Sequence, residues 1–555
     1  MDISKATQRN WARLNSDPTH RLSARANKTQ SRVRFIPKER CSSPQTVAFI
    51  QSLLPFESAY SLADILYSLC RSLLNQRNVR LDLIEAFVAD YSNRSPVKEL
   101  TELKLPEEFD LLGTVYQSFL TEGAKNKAGS YYTVRTTAQT LLASMNLKPG
   151  DRFIDPCCGS GTFLIAAYRL GCIVKGFDVD EIAVMIAKAN LLSAGLSNYP
   201  DIECLDFKNF KPEGCLCYDA SASNPPWGRG QSKGYSDIAC EFFLKTYALL
   251  REGGKINFLL PNALLNVASH RAFRESLLSD GILEEIRLFG SDFSGVQTAC
   301  FAALFVKGAP KKTIRFVDKK GHTYEVPTEV YGLTLQRNIF PASPEELSAL
   351  KKILSKGTYS LEKCRWGLGI VTGNNKEFLK SEPAPDLEPI FTGKDIRPFY
   401  PEKPKNYIHF DRSKFQQAAK DEIYRTRPKL IYKFISSRPT FALDKSGTLV
   451  LNSANVLIPQ ELPFSLAALL ALLNSDAFAF THRVLFGEVK FLQGNLVPIL
   501  LPALSSEDDK RLSHYVSQVI KEPNLLESMN NFVFDLYDLT TAERNAVRLR
   551  LSTRQ

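Results

Sequence analysis

The stretch from Tyr131 to Lys307 alternates short apolar runs with segments of helical periodicity. The runs with strand character are RFID, CIVKGFDV, DIECLD, YDASASN, KINFLLP, EEIRLF and ACFAALFV. This alternation predicts an α/β fold, a mostly parallel sheet with helices on both faces. Ligands of such sheets bind at the carboxyl ends of the strands, so the residues that follow each run are the candidates for function.

The regions on either side of this core predict three further parts. Residues 1–44 are a basic arm, which is either a flexible solvated tail or a DNA-contacting arm, with an organellar transit peptide as a weaker option. Residues 45–122 have helical periodicity and predict a helical domain before a catalytic domain at 123–310. Residues 311–555 predict a mixed α+β recognition domain that ends in helices, one opened by a capping box between Thr540 and Glu543.

Composition limits the class of protein. A chain of 555 residues with 44% hydrophobic residues is long enough for two or three domains with proper cores. No stretch approaches the roughly 20 apolar residues of a membrane-spanning helix, so we expect a soluble, cytoplasmic protein without a membrane partner. Eleven scattered cysteines and six unclustered histidines predict reduced thiols and no metal site. The net charge of +11 favours polyanionic partners such as nucleic acid.

A glycine turn follows the first predicted strand in the sequence DRFIDPCCGSGTFLIAAYRLG. Asp155 ends the strand, and Gly159 and Gly161 allow a ligand to approach the backbone at the start of the next helix. The turn lacks the third glycine of the dinucleotide fingerprint and the Gly-Lys-Ser/Thr of the phosphate loop. It therefore indicates a ligand site without identifying the ligand.

Two further carboxylates follow the next strands. Asp178 ends the second strand, where a carboxylate accepts both hydroxyl protons of a ribose. Asp206 ends the third, and beside it the Phe207 ring is suited to packing on an adenine. Three carboxylates tolerate a phosphate poorly, so the pocket favours a nucleoside with a cationic tail, and S-adenosylmethionine fits. Each aspartate taken singly is also explained as a helix N-cap.

The fourth strand leads into SASNPPWGRG, which contains the most informative motif. Pro225 and Pro226 lack N–H groups and stiffen the backbone. The side-chain carbonyl of Asn224 and the main-chain carbonyl of Pro225 are suited to accept both hydrogens of an exocyclic NH2, which frees its lone pair to attack a methyl group. Trp227 would then stack on the base. The alternative is a surface turn with a packed tryptophan.

The order DPCCGSG, FDVD, LDF and NPPW, followed by a basic C-terminal region, resembles the gamma-class N6-adenine DNA methyltransferases of restriction-modification systems, from about Leu111 onward. The resemblance implies a Rossmann-like S-adenosylmethionine-dependent core and a C-terminal target recognition domain. The segment GSYYT resembles the one that closes over the methionine end of the cofactor, which implies roles for Tyr131, Tyr132 and Thr133. The implied cofactor-binding residues are Tyr132, Thr133, Asp155, Pro156, Gly159, Gly161, Asp178, Asp206, Phe207 and Asn224.

Other family segments imply further roles. The segment FSGVQTACFAALF implies that Phe293 contacts a flipped base opposite Trp227. Two positions depart from the family pattern: Trp227 replaces Tyr or Phe, and Val134 replaces a proline.

These features together predict a site-specific enzyme that methylates N6 of a flipped adenine in double-stranded DNA, in the cytoplasm of a bacterium or archaeon and associated with the nucleoid. Predicted phosphate contacts are Lys394, Arg397, Lys429, Lys433 and Arg438. No nuclease motif precedes the core, so any cleavage would belong to a separate restriction endonuclease. The alternatives are methylation of cytosine N4, RNA guanine N2 or a protein glutamine amide, and a non-catalytic DNA-specificity subunit.

Overall fold

The structure, a computed structural model, describes residues 34–121, 123–125, 133–212, 218–228, 237–289, 299–487 and 489–553. These residues divide into two compact units, with the division between Thr328 and Glu329. Most of the predicted basic arm, together with Tyr131, Tyr132 and Phe293, lies outside the described residues.

The first unit contains the predicted strand-helix alternation. Its strands are β1 (Arg152–Asp155), β2 (Ile173–Asp178), β3 (Ile202–Cys204), β4 (Tyr218–Ser223), β5 (Leu250–Pro261), β6 (Gly281–Leu288), β7 (Cys300–Lys307), β8 (Thr313–Val317) and β9 (Thr323–Pro327). Its helices are α1 (Pro44–Leu53), α2 (Leu62–Gln76), α3 (Leu81–Asp90), α4 (Lys98–Thr101), α5 (Leu111–Phe119), α6 (Arg135–Ala143), α7 (Thr162–Arg169), α8 (Glu181–Ser193), α9 (Ile238–Leu249), α10 (Ala263–Asn266) and α11 (Arg271–Ser279).

The strands of this unit form one sheet in the order β3-β2-β1-β4-β5-β7-β6-β8-β9. The first five strands are parallel, and β7 lies antiparallel between β5 and β6. The predicted α/β class and largely parallel sheet are confirmed. The strand order reverses between β1 and β4, and in open α/β sheets ligands bind where such a reversal leaves a crevice at the carboxyl ends.

Two features of this unit differ from the predicted boundaries. The sheet continues beyond residue 310, because β8 pairs with β6 and β9 pairs with β8. The helical region is not a separate body, since buried residues of α2 and α5 share one apolar core with Met185, Ile186 and Leu192 of α8. The helices before the sheet therefore pack directly on the helical layer that covers it.

The second unit is mixed α+β, as predicted. Its strands are β10 (Gly357–Tyr359), β11 (Arg365–Leu368), β12 (Leu379–Lys380), β13 (Glu388–Phe391), β14 (Asn406–Ile408), β15 (Lys429–Lys433), β16 (Phe441–Asp444), β17 (Leu449–Val450), β18 (Ala454–Ile458) and β19 (Leu501–Pro502). Its helices are α12 (Pro344–Lys356), α13 (Asn375–Phe378), α14 (Asp421–Arg425), α15 (Leu466–Leu473), α16 (Asp476–Phe486), α17 (Gln493–Leu496), α18 (Ser506–Val519), α19 (Leu526–Leu536) and α20 (Thr541–Ser552).

The core of this unit lies between two four-stranded sheets, β11-β18-β15-β16 and β12-β14-β13-β17. The C-terminal helices follow them, and α20 begins with the predicted capping box: Thr540 accepts from the Glu543 backbone, and the Glu543 side chain accepts from Thr540 N at 2.7 Å. Across the ranges that the structure covers, no helix is long and apolar enough to cross a membrane.

Candidate active site

The glycine turn connects β1 to α7 at the point where the strand order reverses. Gly159 and Gly161 have φ values of 51° and 90°, which side chains with a Cβ adopt at a steric cost. A Cβ on Gly161 would also meet the Ala187 side chain of α8 at 3.3 Å. The turn thus packs closely on α8 and presents the first N–H groups of α7 towards the cleft beyond it.

This cleft, which we call the β-end cleft, has a volume of about 550 Å³ at the carboxyl ends of the first four strands. Of the predicted site residues, it is lined by Thr133, Pro156, Gly159, Asp178, Asp206, Phe207, Asn224 and Pro226. Motifs that are up to about 90 positions apart in the sequence therefore share one wall, because parallel strands end at the same edge of the sheet.

Asp178 is held in the wall of the β-end cleft by backbone donors. Its Oδ2 accepts from Gly159 N at 2.8 Å, and its Oδ1 accepts from Asp180 N at 3.0 Å. Burial raises the pKa of the Asp178 carboxyl to about 6. The carboxylate is thus fixed against the glycine turn, and acid titrates it more readily than an exposed aspartate.

Asp206 and Phe207 also line the β-end cleft. Asp206 caps the short helix Phe207–Asn209 by accepting from Lys208 N at 3.0 Å, so the N-cap explanation and the cleft position both hold for it. The Phe207 ring is 1% exposed and packs 5.9 Å from Phe242, which also lines the cleft. A carboxylate beside an aromatic surface is the arrangement that the sequence predicts for an adenine.

Asp155 is not among the residues that line the β-end cleft, and its predicted ligand contact stays a prediction. The side chain is fully buried, and its Oδ1 accepts from Ser223 Oγ at 2.7 Å and from Cys157 N at 3.1 Å. Its Oδ2 has no hydrogen-bond partner among the described residues, and burial raises the pKa of the carboxyl to about 7. Asp155 thus ties the glycine turn to the end of β4, directly before Asn224.

The NPPW motif follows β4. Asn224 and Pro226 line the β-end cleft, whereas the Pro225 side chain is buried. Trp227 is partly buried against the sheet core, and its Nε1 donates to Leu259 O at 3.3 Å. Trp227 is not among the residues that line the cleft. Its contacts in the structure are those of a tryptophan packed on the sheet, which is the alternative that the sequence left open. Gly228 N donates to Asp237 Oδ2 at 3.3 Å, which fixes the exit from the motif.

Sequence reasoning missed several lining residues. Ser160 and Thr162 belong to the glycine turn and the start of α7, and Ile238 lies in α9. Asp180 is the strongest omission, since the second carboxylate of FDVD also lines the cleft and accepts from Tyr116 Oη at 2.5 Å. The doubled aspartate was the signal that could have identified it.

A second cleft lies in the second unit, and we call it the basic cleft. It has a volume of about 1100 Å³, and its cationic lining residues are Lys394, Arg397, Lys405 and Lys433. Three were predicted, and Lys405 was missed. Arg397 Nε donates to Glu402 at 2.7 Å, while burial and then the nearby Arg397 guanidinium lower the pKa of Lys433. Asn375, Asn406 and Asn452 add amide groups to the same lining.

Two predicted DNA contacts are placed differently. The Lys429 side chain is fully buried, forms an ion pair with Asp444 and donates to Thr448 O at 3.1 Å. Lys429 therefore cannot reach a phosphate on the surface, and its predicted role is corrected to a structural one. Arg438 pairs with Asp476 and does not line the basic cleft, although 42% of its side chain is exposed.

Comparison with known proteins identifies a domain type in each unit and the family of the chain. Residues 134–275 match the family model of an RMKL-like methyltransferase domain, and residues 388–495 match a TaqI-like C-terminal specificity domain. The type II methyltransferase M.VspI of Vibrio sp. (strain 343) is 32% identical over 311 residues, which cover 51% of this chain and 74% of that relative. The chain belongs to the type II methyltransferases of restriction-modification systems.

Other relatives agree with this assignment. The type II methyltransferase M.XamI of Xanthomonas campestris pv. amaranthicola is 23% identical over 292 residues, 46% of this chain and 54% of that relative. The structure of the type IIL restriction-modification enzyme MmeI in complex with DNA has a TM-score of 0.56 and 13% identity over 92% of this chain and 94% of that chain. It shows a shared fold. A DNA methyltransferase with a C-terminal specificity domain is thus confirmed.

Proposed function

We propose that this type II methyltransferase transfers a methyl group from S-adenosylmethionine to N6 of an adenine that is displaced from duplex DNA. The observation that carries the proposal is the shared wall of the β-end cleft, which brings Asn224 together with the glycine turn and Asp178. A ligand bound against the turn would lie beside the acceptor of the NPPW motif.

The residues of the β-end cleft fit the cofactor. Asp178 would accept from the ribose hydroxyls, and Asp206 with Phe207 would hold the adenine. The acidic lining of Asp178, Asp180 and Asp206 disfavours a phosphate and favours a cationic sulfonium. Thr133 lines the same cleft and, with Tyr132, would hold the methionine end. When bound, S-adenosylmethionine supplies an electrophilic methyl group.

Asn224 and Pro225 would activate the target amine. Its lone pair is delocalised into the base, which makes it a weak nucleophile. Two acceptors that take both amine hydrogens favour a tetrahedral nitrogen with a free lone pair. Prolines fix φ and lack an N–H, so the Pro225 carbonyl is presented on a stiff backbone. Positioned acceptors of this kind need no reorganisation during the reaction.

Duplex DNA would contact the second unit along the basic cleft. Lys394, Lys405, Lys433 and the partly neutralised Arg397 would contact phosphates and position the duplex, whereas amide groups suit base edges. Base displacement would bring the adenine to Asn224, with Trp227 and Phe293 as the stacking residues. A stacking role for Trp227 requires that one face of its indole ring contacts the displaced base while Nε1 donates to Leu259 O. A separate restriction endonuclease would act on unmodified sites.

Transfer of isotopically labelled methyl groups tests this function. The protein is incubated with duplex DNA and labelled S-adenosylmethionine, and the DNA is digested to nucleosides. We expect label in N6-methyladenine alone. Label in N4-methylcytosine, or label only when RNA replaces DNA, would assign the enzyme to one of the alternative amine substrates. No transfer to any of them would support the non-catalytic alternative.

Cofactor affinity should depend on pH through Asp178. Burial raises its pKa to about 6, and protonation removes the negative charge and places a donor on one of the two oxygens that would accept from the ribose hydroxyls. The Kd for S-adenosylmethionine is therefore expected to be constant above about pH 7.5 and to rise by about tenfold per pH unit well below pH 6. Isothermal titration calorimetry between pH 5 and 8 measures this dependence.

Asp155 provides the matched control, because its pKa, raised by burial and by the charge of Asp178 to about 7, lies in the same range. The Asp178→Asn variant should bind weakly at every pH. The Asp155→Asn variant keeps a side-chain oxygen that accepts from the Ser223 hydroxyl. Its Kd for S-adenosylmethionine should therefore still rise as the pH falls below 6. A flat profile for the unmodified protein would contradict the role of Asp178.

A further inference from the structure

A buried cluster of polar side chains connects the N-terminal helices to the glycine turn. The Asp110 cluster consists of Arg40, Asp110, Ser160, Thr162 and Asn190. The side chains of Arg40 and Asp110 are 7% and 3% exposed, and Asp110 caps α5 by accepting from Gly113 N at 2.9 Å. None of the motifs that identify the enzyme includes Arg40 or Asp110.

Asp110 is linked to the glycine turn directly through Oδ2 and, by way of Asn190, through Oδ1. Its Oδ2 accepts from the Ser160 hydroxyl and from Arg40 Nη2, the latter at 2.6 Å. Its Oδ1 accepts from Asn190 Nδ2 at 2.9 Å, and the same Nδ2 donates to Ser160 O at 2.9 Å. Ser160 is therefore held by its side chain and by its backbone, and it lines the β-end cleft.

Arg40 extends the contacts of the cluster to another part of the same cleft. Its Nη1 donates to Thr133 O at 2.7 Å, and its Nε donates to Thr114 Oγ1 at 3.2 Å. Thr133 lines the β-end cleft on the segment that would hold the methionine end of the cofactor. One guanidinium thus bridges the carboxylate that holds Ser160 and the carbonyl of Thr133.

The close approach of α5 to the glycine turn depends on Gly113, because glycine has no side chain. A Cβ on Gly113 would lie 2.4 Å from both Asp110 Oδ2 and Ser160 Oγ. A distance this short requires the carboxylate or the turn to move. Glycine at this position therefore permits the contact between helix and turn.

We propose that Arg40 and Asp110 are positioning residues of the cofactor site, which fix Ser160 and Thr133 relative to each other. A buried ion pair contributes little net stability compared with apolar packing of similar volume, so stability alone does not account for it. Its fixed, multiply bonded geometry instead pre-organises two parts of one cleft. This inference rests on the proposed function, because it takes S-adenosylmethionine as the ligand of that cleft.

The test uses Arg40→Lys and Asp110→Asn in the full chain. A lysine makes fewer directed bonds than the forked guanidinium, and an asparagine places a donor where Asp110 accepts. We expect the Kd for S-adenosylmethionine, measured by calorimetry, to rise by about tenfold or more in each variant. The KM for S-adenosylmethionine should rise similarly, while the KM for DNA and the DNA affinity without cofactor stay unchanged.

Exposed partners in the same helical region give matched controls. Arg80 and Asp82 form an ion pair with side chains 63% and 60% exposed, and Arg80→Lys and Asp82→Asn should leave the Kd unchanged. A purely structural role predicts a lower Tm of the cofactor-free protein with an unchanged Kd, and that result in Arg40→Lys would overturn the proposal.

A second route does not alter the charged residues. Gly113→Ala should raise the same Kd, whereas Gly494→Ala introduces a Cβ with no atom within 4 Å and should not. If Asp110→Asn fails to fold, the Kd values of Arg40→Lys and Gly113→Ala test the proposal. Failure of the unmodified protein to bind S-adenosylmethionine would overturn the proposed function and this inference with it. Equal binding by the unmodified protein and the variants would overturn only the inference.

Discussion

Replacing Asn224 by alanine is expected to lower the rate of methyl transfer to DNA by about 10³-fold. Asn224 lines the cleft at the end of β4, where its side-chain carbonyl would take one hydrogen of the target amine. Without it, the Pro225 carbonyl remains as a single acceptor and the lone pair of the amine stays in conjugation with the base. Single-turnover transfer of labelled methyl groups measures the loss directly.

Two further variants make this result specific. Asn224→Asp keeps a carbonyl-type acceptor and should retain more activity than Asn224→Ala, because the acceptor and not the amide N–H carries the effect. Asn198→Ala changes an exposed asparagine of the same unit and should behave as the unmodified protein. The affinity for S-adenosylmethionine should change only a few-fold in Asn224→Ala. Transfer by Asn224→Ala at the unmodified rate would refute the amine-activation mechanism.

Sequence spacing predicted the β-end cleft because each motif directly follows a strand. In a parallel sheet the strands end at one edge, so Gly159, Asp178, Asp206 and Asn224 are brought together by topology alone. The sequence could not separate Asp155 from these residues, since all three carboxylates end strands. Asp155 is buried and accepts a hydrogen bond from Ser223 of β4, which lies beside it because β1 and β4 pair at Ile154 and Ser221.

The Asp110 cluster was invisible to sequence reasoning for a related reason. Asp110, Ser160 and Asn190 are 30 to 80 positions apart, and each one alone is an ordinary capping or surface residue type. The contact arises because the helical region packs on α8 in a shared apolar core. Local patterns predict which elements form, whereas contacts between elements decide which polar side chains become buried.

Charge counting in the second unit could not distinguish the buried Lys429 from the exposed Lys394. Both are basic residues in one basic, aromatic-rich stretch, and composition treats them alike. Lys429 begins β15, and its side chain points into the unit towards Asp444 of β16, whereas Lys394 is exposed at the basic cleft. The two lysines therefore allow one substitution to be compared in opposite environments.

Lys429→Met is expected to destabilise the second unit by about 3 kcal/mol, because it leaves the Asp444 carboxylate buried without its cation. Asp444 keeps its bonds from Ser446 N at 2.7 Å and Thr448 N at 3.2 Å, which limits the loss. For a unit of this size the change corresponds to a fall of about 6–12 °C in Tm. Thermal unfolding followed by calorimetry measures it.

Lys394→Met should change DNA binding and leave the stability of the second unit unchanged. An exposed lysine contributes little to folding, so the Tm should stay unchanged, whereas loss of one phosphate contact should reduce the slope of log K for DNA against log salt by about 1. Below its unfolding range, Lys429→Met should keep the unmodified slope, since its ammonium is buried away from the DNA. A reduced slope in Lys429→Met with an unchanged Tm would restore Lys429 to the DNA interface and contradict its structural role.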